Sequence, residues 1–151
     1  MLFKKLTGPP EFDLGDYVIN YITELKDQPV KIYLGCDSQN HGLHTVYATT
    51  VVFHIADSGC HIIYKKDQVP VILDMWTRLW GEAERSVEAA LYLREKGIEI
   101  DTIDLDYNEN PNRKSNKLVA AAVGYVESLG FKAKIKPELL PAAYAADDIV
   151  N

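Results

Sequence analysis

Residues 30–65 read VKIYLGCDSQNHGLHTVYATTVVFHIADSGCHIIYK, and their pattern predicts three successive β-strands. Residues 30–36 alternate in hydrophobicity, and residues 45–55 are rich in Thr, Val, Tyr and Phe, which favour strands. A third strand, 60–65, follows after a short Asp-Ser-Gly turn at 57–59. Because so short a turn joins its two strands as an antiparallel hairpin, the stretch predicts an antiparallel meander.

Downstream of the meander, helical and strand patterns alternate. A long helix is predicted over 71–96, with an apolar stripe that includes Trp76 and Trp80 and with Gly97 as its C-terminal cap. The later elements are a strand (98–105), a helix (115–129), a strand (131–135) and a helix (141–150). Strands separated by a helix need a crossover connection and pair in parallel. The expected fold is therefore α/β: a mixed five-stranded sheet, three antiparallel strands then two parallel strands, flanked by helices.

The residues before the predicted meander, 1–29, are expected to lie outside the sheet. Residues 1–29 are expected to form a lead-in and a short helix, 13–26, packed on the core. A Gly-Pro-Pro sequence at 8–10 predicts that the lead-in is a stiff surface segment. Residues 30–151 are expected to form a single domain, since 151 residues suit one hydrophobic core.

Cellular location is predicted from the cysteines and from the first residues. No apolar run follows Lys4 and Lys5, so we expect neither a signal peptide nor a membrane anchor. Cys36 and Cys60 are too few for a disulfide scaffold and form no metal-binding pattern. These features predict a protein of the reducing cytoplasm.

The charge of the chain is uneven. The net charge is −6, which argues against broad electrostatic attraction to nucleic acid. Residues 113–136, however, hold six Lys and Arg residues against one acid, Glu127. This basic segment predicts local contacts with a few phosphates instead.

Three acidic residues occupy positions that suit a catalytic site. Asp37 directly follows the first predicted strand of the meander, and Asp106 ends the strand predicted over 98–105. Glu84 lies beside the apolar stripe of the long helix. Each one alone is also typical of a turn, a helix start or a surface charge. Together they would repel one another unless a cation compensates, and an all-oxygen site suits Mg²⁺ or Mn²⁺.

The order of elements, together with Asp37, Glu84 and Asp106, resembles the ribonuclease H-like superfamily, over roughly residues 30–150. Several segments look like its YkuK-type branch: Gly35-Cys36-Asp37-Ser38-Gln39, Glu84-Arg85-Ser86, Asp104-Leu105-Asp106-Tyr107-Asn108, Lys114-Ser115-Asn116-Lys117 and Lys134-Ile135-Lys136-Pro137. The resemblance implies four metal-binding catalytic residues, which carry over to Asp37, Glu84, Asp106 and Asp147.

Two of these assignments have neighbouring alternatives. Glu82 is the alternative to Glu84, but it lies on the other side of the predicted stripe and would need a rotated helix. Asp148 is the alternative to Asp147, and the two point about 100° apart on a helix. We choose Glu84 and Asp147.

What the resemblance implies about function is phosphodiester hydrolysis with two Mg²⁺ or Mn²⁺ ions. The expected partner is nucleic acid: RNA, an RNA/DNA hybrid or structured DNA. Five polar and basic residues are expected to contact it, namely Asn108, Arg113, Lys114, Asn116 and Lys117. The alternative is a non-catalytic module of the same fold that binds RNA or a protein partner. A nucleotide-binding ATPase is disfavoured because the sequence has no Gly-rich phosphate loop.

Overall fold

A computed structural model describes residues 1–26, 28–56, 58–107, 114–136 and 138–151, with the backbone alone at 114–116. The strands in these residues are β1 (Leu2–Lys5), β2 (Gly8–Asp13), β3 (Val30–His41), β4 (His44–Ile55), β5 (Gly59–Pro70), β6 (Thr102–Leu105) and β7 (Ala133–Ile135). The helices are α1 (Leu14–Leu25), α2 (Met75–Glu95), α3 (Lys114–Ser128) and α4 (Pro141–Val150).

The strands form one mixed sheet in the order β2-β1-β5-β4-β3-β6-β7. Strands β3, β4 and β5 pair antiparallel, and β6 pairs in parallel with both β3 and β7. The α/β class and these strand directions are as predicted. The predicted number of strands, five, is wrong, because the described residues contain seven.

The two additional strands come from the segment that was expected to be a lead-in. Strand β1 pairs with β2 and, on its other side, with β5. Pro9 and Pro10 lie in β2, the outermost strand, where a missing backbone N–H breaks no ladder on the open side. Phe3 of β1 is 1% exposed and belongs to the main hydrophobic core. The Gly-Pro-Pro sequence at 8–10 therefore belongs to an edge strand, and not to the stiff surface lead-in that was predicted.

The strands of the meander are longer than their apolar patterns. Strands β3, β4 and β5 have 12 residues each. The pairing of β3 with β4 continues to His41 and His44, with Gly42 at positive φ in the turn. Backbone hydrogen bonds extend the ladder regardless of side-chain polarity, so Asp37 lies inside β3, opposite Ala48, and not after its end.

Helices cover both faces of the sheet. Residues of α1, α2 and α3 join the main core with Val51 and Phe53 of β4. Ala48 of β4 instead packs with Ala146 and Val150 of α4. Since odd and even residues of a strand point to opposite faces, α4 lies on the face opposite to α2. Among the described residues, no helix combines the length and the apolar character needed to cross a bilayer.

Helix α2 begins later than predicted. Asp74 is its N-cap, and the Asp74 carboxylate accepts a hydrogen bond from the Thr77 N–H at 2.9 Å. Residues 71–74 precede the helix as irregular chain, although their apolar residues continue the helical spacing. The cap, and not the start of the apolar pattern, therefore defines where the helix begins.

Candidate active site

The candidate site lies where β3 extends past its parallel neighbour. The pairing of β3 with β6 ends at Gly35 and Asp104, whereas β3 itself continues to His41. Asp37 and Asp106 each follow two residues after that last pair. In α/β sheets, ligands bind beyond the carboxyl ends of parallel strands, which is where these two acids lie.

Asp37 is half-buried and close to other carboxyl groups. Its Oδ1 accepts a hydrogen bond from the Ser38 N–H at 2.9 Å. Its carboxyl group is within hydrogen-bonding reach of Asp147, and Asp106 adds a further negative charge. Burial, followed by the contact with Asp147, raises the pKa of Asp37 to about 6. The ionised form of Asp37 is therefore disfavoured at this position, and a nearby cation would favour it.

On helix α2, Glu82 and not Glu84 lies next to Asp37. Glu82 is 3% exposed, and its Oε2 accepts a hydrogen bond from the Ser38 hydroxyl at 2.5 Å. Burial and the charge of Asp37 raise the pKa of Glu82. Glu84 is exposed on the solvent side of α2. The structure thus places the alternative residue, Glu82, beside Asp37, and it places the predicted residue, Glu84, in solvent.

The burial of Glu82 follows from how α2 packs on the sheet. The buried face of α2 consists largely of small residues, whereas Trp76 is 42% exposed. At Gly81, an added Cβ would lie 2.5 Å from the Tyr47 hydroxyl oxygen, so the helix sits directly on β4. If the tryptophans of α2 faced the sheet, Glu84 would point inward. Because the small residues face the sheet instead, Glu82 is buried. The small-residue face is the sequence signal that was missed.

A hydrogen-bonded group of three residues holds Glu82 in place. Arg78 Nη1 donates to the Ser38 carbonyl oxygen at 3.0 Å and to the Ser38 hydroxyl oxygen at 2.9 Å. The Ser38 hydroxyl in turn donates to Glu82. Arg78 precedes Glu82 by four residues, a spacing at which side chains of a helix are neighbours. Sequence reasoning missed Arg78, although this spacing to Glu82 was visible.

Asp147 reaches the site from the opposite face of the sheet, because α4 is fixed at its first turn. Leu140, the N-cap of α4, provides no side-chain hydrogen bond. The buried Asp104 of β6 accepts one instead from the Ala142 N–H at 2.8 Å, and the Thr50 hydroxyl donates to the Ala142 carbonyl at 2.6 Å. Gly35 leaves room for this close approach, since a Cβ there would lie 2.6 Å from the α4 backbone.

Both acidic residues near the end of α4, Asp147 and Asp148, are exposed. The structure brings the Asp147 carboxyl group to Asp37. Asp147 Oδ1 also accepts a hydrogen bond from Asn151 Nδ2 at 3.1 Å. Of the two adjacent acids, Asp147 is thus the one that meets the acid of β3.

Asp106 has a lysine as its partner. Lys136 Nζ lies 2.8 Å from Asp106 Oδ1. This oxygen is inaccessible to solvent and receives no well-directed hydrogen bond from the described residues. Within the part of the chain that the structure describes, Lys136 is thus the charged partner of this oxygen.

The donor set fits a hard divalent cation in its chemistry. Asp37, Glu82, Asp106 and Asp147 provide only oxygen ligands, which Mg²⁺ and Mn²⁺ prefer. The buried Asp106 Oδ1, which receives no well-directed hydrogen bond from the described residues, is the kind of oxygen that a cation satisfies. Within the described ranges, no three His, Cys, Asp or Glu side chains stand close enough together to enclose a metal ion. Asp37 is thus close to both Asp147 and Glu82, but the described carboxylates do not form a preassembled cage.

Most of the residues predicted to contact nucleic acid fall outside the residues or side chains that the structure describes. Asn108 and Arg113 lie outside the described residues. Lys114 and Asn116 lie in the first turn of α3, and their side chains are also outside the description. Lys117 is exposed on α3.

Comparison with known proteins identifies one family and two similar structures. A family model described as Ribonuclease H-like matches residues 13–151. RNase H1 from the halophilic archaeon Halobacterium salinarum NRC-1 is 17% identical, with a TM-score of 0.36 over 80% of this chain and 98% of that one. The N-terminal RNase H domain of rv2228c from Mycobacterium tuberculosis is 14% identical, with a TM-score of 0.36 over 81% of this chain and 96% of that one. A search of curated proteins finds no match. The family match includes all four clustered acids.

Proposed function

The chain belongs to the ribonuclease H-like family, and we propose that it is a divalent-metal-dependent nuclease that hydrolyses phosphodiester bonds of nucleic acid. One observation carries this proposal. Asp37 of β3 lies close to the carboxyl groups of Glu82 on α2 and Asp147 on α4, and Asp106 after β6 adds a further negative charge. Such a concentration of like charge is unfavourable for the fold alone and favourable for binding cations.

The carboxylates have different roles in this proposal. Asp37 and Asp106 would hold two Mg²⁺ or Mn²⁺ ions, with Glu82 and Asp147 as further ligands. Bound there, the ions would activate a water and stabilise the leaving oxygen. Ser38 orients both Asp37 and Glu82, through its N–H and its hydroxyl respectively. Arg78 offsets part of the negative charge at Glu82.

The proposed substrate is RNA, an RNA/DNA hybrid or structured DNA. Asn108, Arg113, Lys114, Asn116 and Lys117 are proposed to contact it, since this polar and basic run begins directly after Asp106 and Tyr107. We further propose that the protein belongs to the YkuK-type branch, on the segments that resemble it. The two free cysteines are consistent with a cytoplasmic location.

The test is hydrolysis by the purified protein. RNA, DNA, hybrid and branched substrates are incubated with Mg²⁺ or Mn²⁺ and either the wild-type protein or Asp106→Asn. We expect wild-type cleavage of at least one substrate and a loss of that cleavage in the variant. Equal residual cleavage by both proteins would show that a contaminating nuclease is responsible and would contradict the proposal.

The second candidate function is a non-catalytic module that binds RNA or a protein partner. The Asp106–Lys136 ion pair favours it, because an acid that already has an internal cation has less need of a metal. This candidate predicts binding of RNA that is unchanged by EDTA, together with no cleavage under any metal condition.

A further inference from the structure

The last two strands place acids and lysines side by side. Strands β6 and β7 are parallel, and their register pairs Asp104 with Lys134 and Leu105 with Ile135. The next residues are Asp106 and Lys136, so an Asp-Leu-Asp sequence runs beside a Lys-Ile-Lys sequence. Because alternate residues of a strand share a face, the two acid–lysine pairs lie on the same face of the sheet.

The first pair, Asp104 and Lys134, lies where α4 packs on the sheet. Asp104 is 2% exposed and accepts the Ala142 N–H, and Lys134 Nζ lies 4.9 Å from the centroid of the Tyr33 ring. Lys134 lowers the pKa of Asp104, although burial has the larger and opposite effect. This pair belongs to the packing of α4.

The second pair is at the candidate active site. Lys136 Nζ is 2.8 Å from Asp106 Oδ1, and the Lys136 side chain is 35% exposed. The Asp106 oxygen receives no well-directed hydrogen bond from the described residues, so its interaction with Lys136 is mainly one of charge. A partly exposed ion pair of this kind contributes only about 0–1 kcal/mol. Replacing Lys136 at Asp106 by a stronger cation therefore costs little in this ion pair.

We propose that Lys136 is a built-in counter-ion that occupies Asp106 until a divalent metal ion displaces it, so that it sets the metal concentration at which the site fills. This inference rests on the proposed function. A divalent ion carries twice the charge of an ammonium and binds several carboxylate oxygens at once, whereas Lys136 neutralises one. The long, flexible lysine side chain lets its ammonium move away into solvent when the ion arrives.

The experiment is a calorimetric titration of Mn²⁺ into the protein without nucleic acid. Four proteins are compared: wild type, Lys136→Met, Lys136→Arg and Lys132→Met. Lys132 is exposed just before β7, so Lys132→Met removes the same charge from the same segment without touching Asp106. Circular dichroism melting verifies that all four proteins are folded.

We expect Lys136→Met to bind Mn²⁺ about two- to fivefold more tightly, the range that corresponds to loss of a partly exposed ion pair. Lys136→Arg keeps a competing charge, so it should bind like the wild type, and so should Lys132→Met. An affinity of Lys136→Met equal to or weaker than that of the wild type overturns the counter-ion role and leaves the proposed nuclease function standing. If none of the four proteins binds Mn²⁺, both proposals are overturned.

Discussion

Ser38 contacts both carboxylates at the centre of the site. Its N–H donates to Asp37, and its hydroxyl donates to Glu82 while accepting from Arg78. A buried carboxylate needs such partners, because an unpaired one costs several kcal/mol. Ser38 therefore couples the position of the acid on β3 to that of the acid on α2.

The first prediction separates Glu82 from Glu84. Both lie on α2, but only Glu82 is buried beside Asp37. Glu82→Gln should reduce metal-dependent hydrolysis by about 10- to 100-fold, the loss typical of disturbing a metal site. Glu84→Gln removes the same charge from the exposed face and should retain wild-type rates. Equal losses in the two variants would refute the placement of Glu82.

The second prediction concerns the dependence of stability on pH. The pKa of Asp37 is raised from 3.8 to about 6, so the folded protein binds this proton more tightly than the unfolded chain. This contribution to stability is fully present below about pH 4 and is lost as the pH rises through 6. Without divalent ions, the free energy of unfolding should fall more steeply over this range in the wild type than in Asp37→Asn. Urea denaturation at each pH measures it, and parallel curves would contradict the shift.

Individual site residues could be predicted from the sequence only in part. Asp37 and Asp106 follow apolar strand patterns, and the structure places them at the same end of the sheet. Glu82 was passed over because the apolar stripe that includes Trp76 and Trp80 was taken to mark the buried face of α2, and Glu82 lies on the other side of that stripe. The close approach of Gly81 to Tyr47 fixes the actual rotation, and this long-range contact leaves no periodic signal.

At the scale of elements, α4 depends on contacts from three strands. Asp104 of β6, Thr50 of β4 and Gly35 of β3 all meet its first turn. Asp104 serves as the acceptor that the N-cap residue Leu140 lacks. Because Asp147 lies further along the same helix, these contacts also determine where Asp147 meets Asp37.

The third prediction tests the contacts at the first turn of α4 with two glycine substitutions. Gly35→Ala would place a Cβ 2.6 Å from the backbone of Ala142, and the resulting shift of α4 should cost about 1–3 kcal/mol. Gly124→Ala is the control, since a Cβ at this position in α3 meets nothing within 4 Å. The control should stabilise by about 0.5–1 kcal/mol, because alanine favours helix. Urea denaturation compares them, and a neutral Gly35→Ala would rule out close packing at that position.

Most helices and strands could be predicted from the sequence, but the residues at which they begin and end could not. The helices and the meander have clear apolar periods, and the structure contains all of them. The polar second half of β3 lacks an apolar pattern, because it is held by its backbone ladder with β4. The β1–β2 hairpin was hidden by prolines that an edge strand tolerates.

At the scale of the whole molecule, the β1–β2 hairpin extends the sheet beyond β5 and contributes to the main core. The fourth prediction measures this contribution. Phe3→Ala should destabilise the protein by about 3–5 kcal/mol, the usual cost of removing a buried phenylalanine. Leu2→Ala is the control, since Leu2 lies on the same strand and is 53% exposed. Similar small losses in both variants would show that the hairpin is only a surface appendage.

The net charge of −6 is also a property of the whole molecule that the site explains in part. Three of the acids, Glu82, Asp106 and Asp147, act on Asp37 by contact or by charge, and divalent ions would offset them in the proposed site. The basic residues concentrate in 113–136, and one of them, Lys136, already pairs with Asp106. The total charge therefore argues against broad binding of long duplexes and not against local, metal-assisted contacts with phosphates.

The central claim is that the clustered carboxylates form a divalent-metal site, and the thermal unfolding temperature with and without millimolar Mn²⁺ tests it most directly. A ligand that binds only the folded state raises this temperature. We predict that Mn²⁺ raises the Tm of the wild-type protein and of Glu84→Gln, and that the rise is lost in Asp37→Asn. An unchanged wild-type Tm, or an equal rise in Asp37→Asn, would contradict the claim.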